Sequence, residues 1–262
     1  MGMSQRVVVG LIIILLVLIL VWHGSKEHFE ANLPHMTQND VPGLPFKVRV
    51  YRNRNPGKTI MLVGGVHGNE PAGAHALTSL CNMFDSGKVK LKCGKLIIVP
   101  VANEWGIKNY ERSNGNFFNN DVNRNFTESG PADNISAALA NLAKGADLVF
   151  DFHEGWGYHK INPESIGSTI TSSSDPKIQR LAQATVDLLN DGIADPGKKF
   201  THRVNDACDI TTTLGCQVQR SGGNYILIET TGQNEIQPRV VRVDQAQAAA
   251  LHVLTKFGLI IS

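Results

Sequence analysis

The apolar run Thr59-Ile60-Met61-Leu62-Val63 passes directly into Gly64-Gly65-Val66-His67-Gly68-Asn69-Glu70. His67 and Glu70 stand three residues apart, so a tight turn entering a helix can bring an imidazole and a carboxylate to one point. The glycines let the backbone turn sharply there. Such a pair needs a third ligand to hold a metal, and Leu148-Val149-Phe150-Asp151-Phe152-His153 offers one. Strand alternation sets Asp151 and His153 on one face, where Asp151 can orient the ligating ring. Two histidines and one glutamate leave the fourth position of a tetrahedral zinc open to water, the catalytic rather than the structural arrangement.

Two further segments carry polar chemistry. Asp121-Val122-Asn123-Arg124-Asn125-Phe126 follows Arg112-Ser113-Asn114 in a polar stretch. A guanidinium forks onto a carboxylate and a neighbouring amide adds a bond, so Asn123 and Arg124 suit a substrate carboxylate; a surface salt bridge is the other use of such an arginine. Late in the chain, Tyr225-Ile226-Leu227-Ile228-Glu229 ends an apolar run in a carboxylate. Glu229 then emerges at the same sheet edge, where water on a metal is a partner for a general base.

These groups have to be positioned by regular elements. Strand-like runs cover Phe46 to Tyr51, Thr59 to Val63, Lys95 to Val101, Ala146 to Phe152, and Gln217 with Asn224 to Glu229. Helical patterns cover Glu70 to Asp85, Asp133 to Leu142, Asp175 to Leu189 and Val243 to Phe257. Strands alternating with helices predict an α/β protein, a mixed, mostly parallel sheet with helices on both faces. Three long polar connections, Ala102 to Pro131, His153 to Ser174 and Asp195 to Thr213, interrupt the rhythm, and such connections are usually functional. In an open α/β sheet the ligand lies beyond the carboxyl ends of the strands.

The chain has 262 residues, 42% hydrophobic and 18% charged, which excludes a disordered chain and a multi-span membrane protein. Lys and Arg number 25 against 23 Asp and Glu, so there is no bulk charge for nucleic acid. Cys81, Cys93, Cys208 and Cys216 form no C-x-x-C pair; Cys81 with Cys93 and Cys208 with Cys216 are pairings the spacing leaves open. The N-terminus is uneven. No charge stands between Arg6 and Lys26, and Val7 to Val21 is Val, Leu and Ile apart from Gly10. As a helix this stretch is about 28 Å long, enough to span a bilayer core of about 30 Å. The sequence after it, Trp22-His23-Gly24-Ser25, lacks a signal-peptidase site. The expected organisation is a single-pass transmembrane anchor over residues 1–25, a linker or extension over 26–45 and a catalytic domain over 46–262. Arg6 before the span places the domain on the non-cytoplasmic side.

The ordered set Gly-x-His-Gly-Asn-Glu, Arg-x-Asn, Asp-x-Asn-Arg-Asn-Phe, Asp-Phe-His and a strand ending in Glu resembles the zinc carboxypeptidase-like superfamily. Within it, the sequence looks most like the succinylglutamate desuccinylase/aspartoacylase family. The resemblance runs from about Val48 to the C-terminus. It implies one Zn2+ held by His67, Glu70 and His153, with Glu229 as general base. It also implies that Arg112 polarises the scissile carbonyl, Asn123 and Arg124 hold a substrate carboxylate, and Asp121 orients His67. The implied reaction is metal-assisted amide hydrolysis of a small carboxylate-bearing amide or peptide. His-Gly-Asn-Glu and Asp-Phe-His-Glu lean to an N-acyl amino acid deacylase, whereas Asn-Arg-Asn-Phe leans to a metallocarboxypeptidase or cell-wall-peptide amidase. A catalytically silent, membrane-tethered binding protein would lack one catalytic group. The 33 residues after Glu229 leave no room for the extra C-terminal domain of aspartoacylase-type enzymes.

Overall fold

A computed structural model describes residues 43–115, 121–205, 208 and 210–261. The expected anchor, residues 1–25, and all but the end of the expected linker lie outside the described residues. Among the described residues no helix is long and apolar enough to cross a membrane.

Seven strands form the main sheet: β1 (Arg49–Arg52), β2 (Thr59–Gly64), β3 (Lys95–Val99), β4 (Leu148–Gly155), β5 (Thr169–Ser172), β6 (Thr201–Val204) and β7 (Tyr225–Thr231). Their spatial order is β1-β3-β2-β4-β7-β5-β6. β3, β2, β4 and β7 are mutually parallel, as are β5 and β6, while β1 pairs with β3 and β5 with β7 in antiparallel fashion. The central strands are buried on both sides, which is why they read as continuous apolar runs.

Helices cover both faces. Even-numbered side chains of the central strands, Ile60, Leu62, Phe150, Phe152, Ile226 and Ile228, pack with α1 (Pro71–Asp85), α4 (Pro176–Asp191) and α6 (Arg239–Lys256). Odd-numbered ones, Met61, Val63, Val149 and Tyr225, pack with α3 (Asn134–Ala143) and α5 (Leu214–Arg220). A short α2 (Glu104–Asn109) completes the α-helices among the described residues. Asp175 caps α4 through Lys177 and Ile178 amides with Pro176 at its first position, and Asp133 and Ser136 form a capping box on α3.

The structure corrects several expectations. β5 and β6 lie inside two of the expected long connections; each is only four residues, below the length at which alternation becomes legible. Gln217 belongs to α5, not to a strand. Thr213 accepts the Cys216 amide and starts that helix. The run into His153 continues to Gly155, so His153 is held within β4. α6 begins four residues before the expected start, after Pro238. Cys208 and Cys216 form a disulfide, while Cys81 and Cys93 are free.

Candidate metal centre

β2 ends in a turn that carries His67 and Glu70, and Pro71 then opens α1. Gly65 takes a left-handed φ of 62°, which the change of direction requires. Gly73 in the first turn of α1 faces the Cβ of Phe152, so the absence of a side chain lets the helix lie directly on β4. Glu70 stands at the N-cap yet makes no cap bond, because its carboxylate is engaged elsewhere. The Ala72 amide in the first turn of α1 instead donates to Oε1 of Glu154 at 2.6 Å.

His67, Glu70 and His153 are all buried and converge. Nδ1 of His67 is 2.9 Å from Oε1 of Glu70, Nδ1 of His153 is 2.8 Å from Oε2, and the two Nδ1 atoms are 3.1 Å apart. The outer nitrogens meet carboxylates: Nε2 of His67 lies 3.1 Å from Asp121 and Nε2 of His153 lies 3.2 Å from Asp151. Asp121 can hold the ring proton of His67 at Nε2, which turns a lone pair inward at Nδ1, while Asp151 stands at ion-pair distance from Nε2 of His153 without a hydrogen bond to it. Two imidazole nitrogens and a carboxylate face one another, a donor set suited to a divalent cation with nitrogen and oxygen affinity. The same carboxylates and rings set one another's charge. Burial opposes charge on Glu70, but His67 and His153 hold its carboxyl well below the usual range. Burial opposes a cationic His153, but Asp151 and Glu70 push it well above its ordinary value.

The surrounding contacts fix this cluster. Tyr225 donates to Oδ2 of fully buried Asp151 at 2.7 Å. The Glu154 amide donates to Oε2 of Glu70 at 3.1 Å, and the Glu154 side chain pairs with fully buried Arg242 of α6. Arg112 spans two carboxylates, Nη1 on Oε1 of Glu70 and Nε on Oδ2 of Asp121, each at 3.0 Å. Arg112 therefore sits at the cluster, with Nη2 the nitrogen committed to neither carboxylate.

Glu229 reaches the centre through strand register. β7 runs parallel to β4 with Glu229 opposite His153 and Leu227 opposite Asp151, so Glu229, His153 and Asp151 share a face. Its carboxyl is buried and Oε2 has no hydrogen-bond partner among the described residues. Burial drives its pKa upward; His153 opposes this, Glu70 and Asp151 add to it, and the value is pushed up to about 8.

A cavity of about 300 Å³ opens beside Glu229, lined by Asn123, Thr169, Thr171, Arg203 and Tyr225 among others. Oδ1 of Asn123 accepts the Leu214 amide at 2.9 Å, which leaves the Nδ2 donor for a ligand. Arg124 does not line this cavity; its Nη1 donates to the Asn123 carbonyl at 2.8 Å. Arg203, on β6, is a cation of the lining that the sequence did not single out, because its strand was not legible. Tyr225 and Glu154 with Arg242 were also missed.

Comparison with known proteins places this geometry. A family model described as the succinylglutamate desuccinylase/aspartoacylase catalytic domain matches residues 56–251. No curated protein sequence matches the chain. Among solved structures, apo cell shape determinant protein Csd4 from Helicobacter pylori is similar at TM-score 0.65 and 19% identity, covering 81% of this chain and 55% of that one. This chain thus spans about half the length of Csd4. A succinylglutamate desuccinylase from a Silicibacter species gives TM-score 0.59 and 21% identity, with 83% and 62% covered. A Shewanella amazonensis protein gives TM-score 0.62 and 20% identity, with 84% and 85% covered. These likenesses show the fold, and the family match spans the turn of His67 and Glu70, both strand ends and the loop of Asn123. The chain belongs to the succinylglutamate desuccinylase/aspartoacylase family.

Proposed function

We propose that this protein is a zinc-dependent amide hydrolase, a deacylase of N-acyl amino acids that carry a carboxylate near the scissile bond. The observation that carries the reading is the convergence of His67 Nδ1, Glu70 and His153 Nδ1 beside the buried carboxyl of Glu229, whose Oε2 has no hydrogen-bond partner among the described residues. His67, Glu70 and His153 would hold the zinc, whose chemistry when bound is to acidify water and polarise a carbonyl. Asp121 and Asp151 keep the two rings oriented. Glu229 takes a proton from the attacking water and returns it to the leaving amine, a task suited to a carboxyl whose affinity for protons is raised. Arg112 offers its uncommitted nitrogen to the carbonyl oxygen as charge develops there. Asn123 presents Nδ2 to the substrate carboxylate, and Arg203 adds a cation to the lining of the same cavity.

A second reading, cleavage of a peptide at its carboxyl end, is favoured by one observation. Csd4, described in its mDAP-bound form as a D,L-carboxypeptidase, shares this fold. The test is a substrate panel of N-succinyl-L-glutamate, N-acetyl-L-aspartate and a tripeptide ending in meso-diaminopimelate, assayed with the zinc-loaded full chain. Release of an amino acid from the first two supports the deacylase, release from the tripeptide alone supports the carboxypeptidase, and no release from any of them overturns both.

We further propose that the chain is membrane-anchored through residues 1–25 with its catalytic domain on the non-cytoplasmic side. A disulfide between Cys208 and Cys216 suits an oxidising compartment. Carbonate extraction and protease accessibility of the domain in intact cells test this; a protease-protected domain would overturn the orientation.

A further inference from the structure

The loop that precedes α5 is tied to the catalytic face at several points. Cys208 is bonded to Cys216, the third residue of α5. Ile210, Thr213 and Gly215, near or between the two cysteines, line the cavity that holds Asn123 and Glu229. The Leu214 amide donates to Oδ1 of Asn123 in a buried bond. The Phe126 amide donates to the Thr212 carbonyl at 3.1 Å, and Arg220 donates to the carbonyls of Thr211 and Phe126 at 2.8 and 2.7 Å. Asn123 in turn donates its backbone amide to Asp121, the carboxylate that faces His67.

One of these contacts decides chemistry. A carboxamide has a donor end and an acceptor end, and only the donor end attracts a carboxylate. With Oδ1 taken by Leu214, Asn123 can present only Nδ2 to the cavity. A seven-residue helix such as α5 does not hold its first turn unaided, so the position of the Leu214 amide depends on what restrains the segment.

We propose that the Cys208–Cys216 disulfide is a positioning element for substrate binding, acting through the Leu214 amide to fix the orientation of the Asn123 carboxamide. This rests on the reading of Asn123 as a substrate-carboxylate ligand. The disulfide touches no reacting atom. It narrows the conformations open to residues 208–216 and so keeps the cavity wall and the Asn123 donor in place, leaving His67, Glu70 and His153 to their own supports.

The experiment uses the full chain in detergent, wild type and Cys208→Ser/Cys216→Ser, each also in an Asn123→Ala background. On the substrate of the panel that the wild type cleaves, the double serine variant should raise KM by about tenfold or more, the value of one hydrogen bond to a charged group. Its kcat and zinc content should stay within twofold of wild type. In the Asn123→Ala background the same pair should add less than twofold, since interacting residues are not additive. Unchanged KM, multiplicative effects in the two backgrounds, or parallel loss of kcat and zinc would each overturn the proposal. Hydrogen exchange at the Leu214 amide gives a readout that needs no turnover. Exchange at least tenfold faster in the double serine variant, in a protein that unfolds at a similar temperature, is the expected result. Unaltered exchange overturns the positioning role even if no panel substrate is cleaved, an outcome that separately defeats the functional reading.

Discussion

Nδ1 of His153 stands 3.1 Å from Nδ1 of His67. Both nitrogens also meet the carboxylate of Glu70, at 2.9 and 2.8 Å. What brings them together is the rigidity of β4 on one side and the β2-α1 turn on the other, with Glu70 between. Metal affinity should therefore depend on all three residues. His67→Ala and His153→Ala are each expected to reduce bound zinc from one per chain to near zero, read by atomic emission on the dialysed protein.

Glu229→Gln keeps the size of the side chain and removes the base. Turnover should fall by about 10²–10⁴-fold while zinc remains at one per chain, because Glu229 is not among the converging donors. Steady-state kinetics alongside metal analysis check this, and activity within tenfold of wild type would remove Glu229 from the mechanism.

Asp151 and Tyr225 act behind His153. Asp151→Asn should weaken zinc about 10- to 100-fold, the usual effect of losing a carboxylate behind a ligating ring. Tyr225→Phe leaves the carboxylate in place and removes only its donor, so the expected loss is below tenfold. Competition with a chelator of known affinity ranks the two.

The buried pair of Glu154 and Arg242 ties α6 to the end of β4. Arg242→Leu strands a buried carboxylate whose other oxygen receives the Ala72 amide, and stability should drop by about 3–5 kcal/mol. Urea unfolding of the variant measures it.

A pH dependence is expected at the opposite end of the sheet. Asp147 accepts Lys58 Nζ at 2.7 Å and the Thr59 amide at 2.8 Å. Burial pushes its carboxyl up, but these two donors outweigh burial and hold it below the usual value. A depressed folded pKa contributes stability above the unfolded pKa of about 4, and that contribution disappears as pH falls through the folded value. The gap in melting temperature between wild type and Asp147→Asn should thus be largest at pH 7 and should close below about pH 3.

The convergence of His67, Glu70 and His153 was legible because each stands in or just after an apolar run of five residues or more, and because His67 and Glu70 are near in sequence. The α/β alternation was legible for the same reason. Arg203 and Tyr225 were not, since their roles depend on which strand lies beside which. Nothing in Thr201-His202-Arg203-Val204 announces an edge strand, and nothing in Tyr225 points to Asp151, 74 positions away. Gln217 was misread because a single apolar-polar alternation fits a short helix as well as a strand.

The pairing of Glu229 with His153 makes the centre a matter of parity. An insertion of one residue within β7 would send the carboxylate to the opposite face, the one packed against α1, α4 and α6. An insertion of two would return it to the correct side but about 7 Å along the strand. Length variation between relatives should therefore accumulate in the connections on either side of β7 and be absent from the strand itself. A chain grafted or recombined at those connections can keep its chemistry, whereas one joined inside the strand cannot.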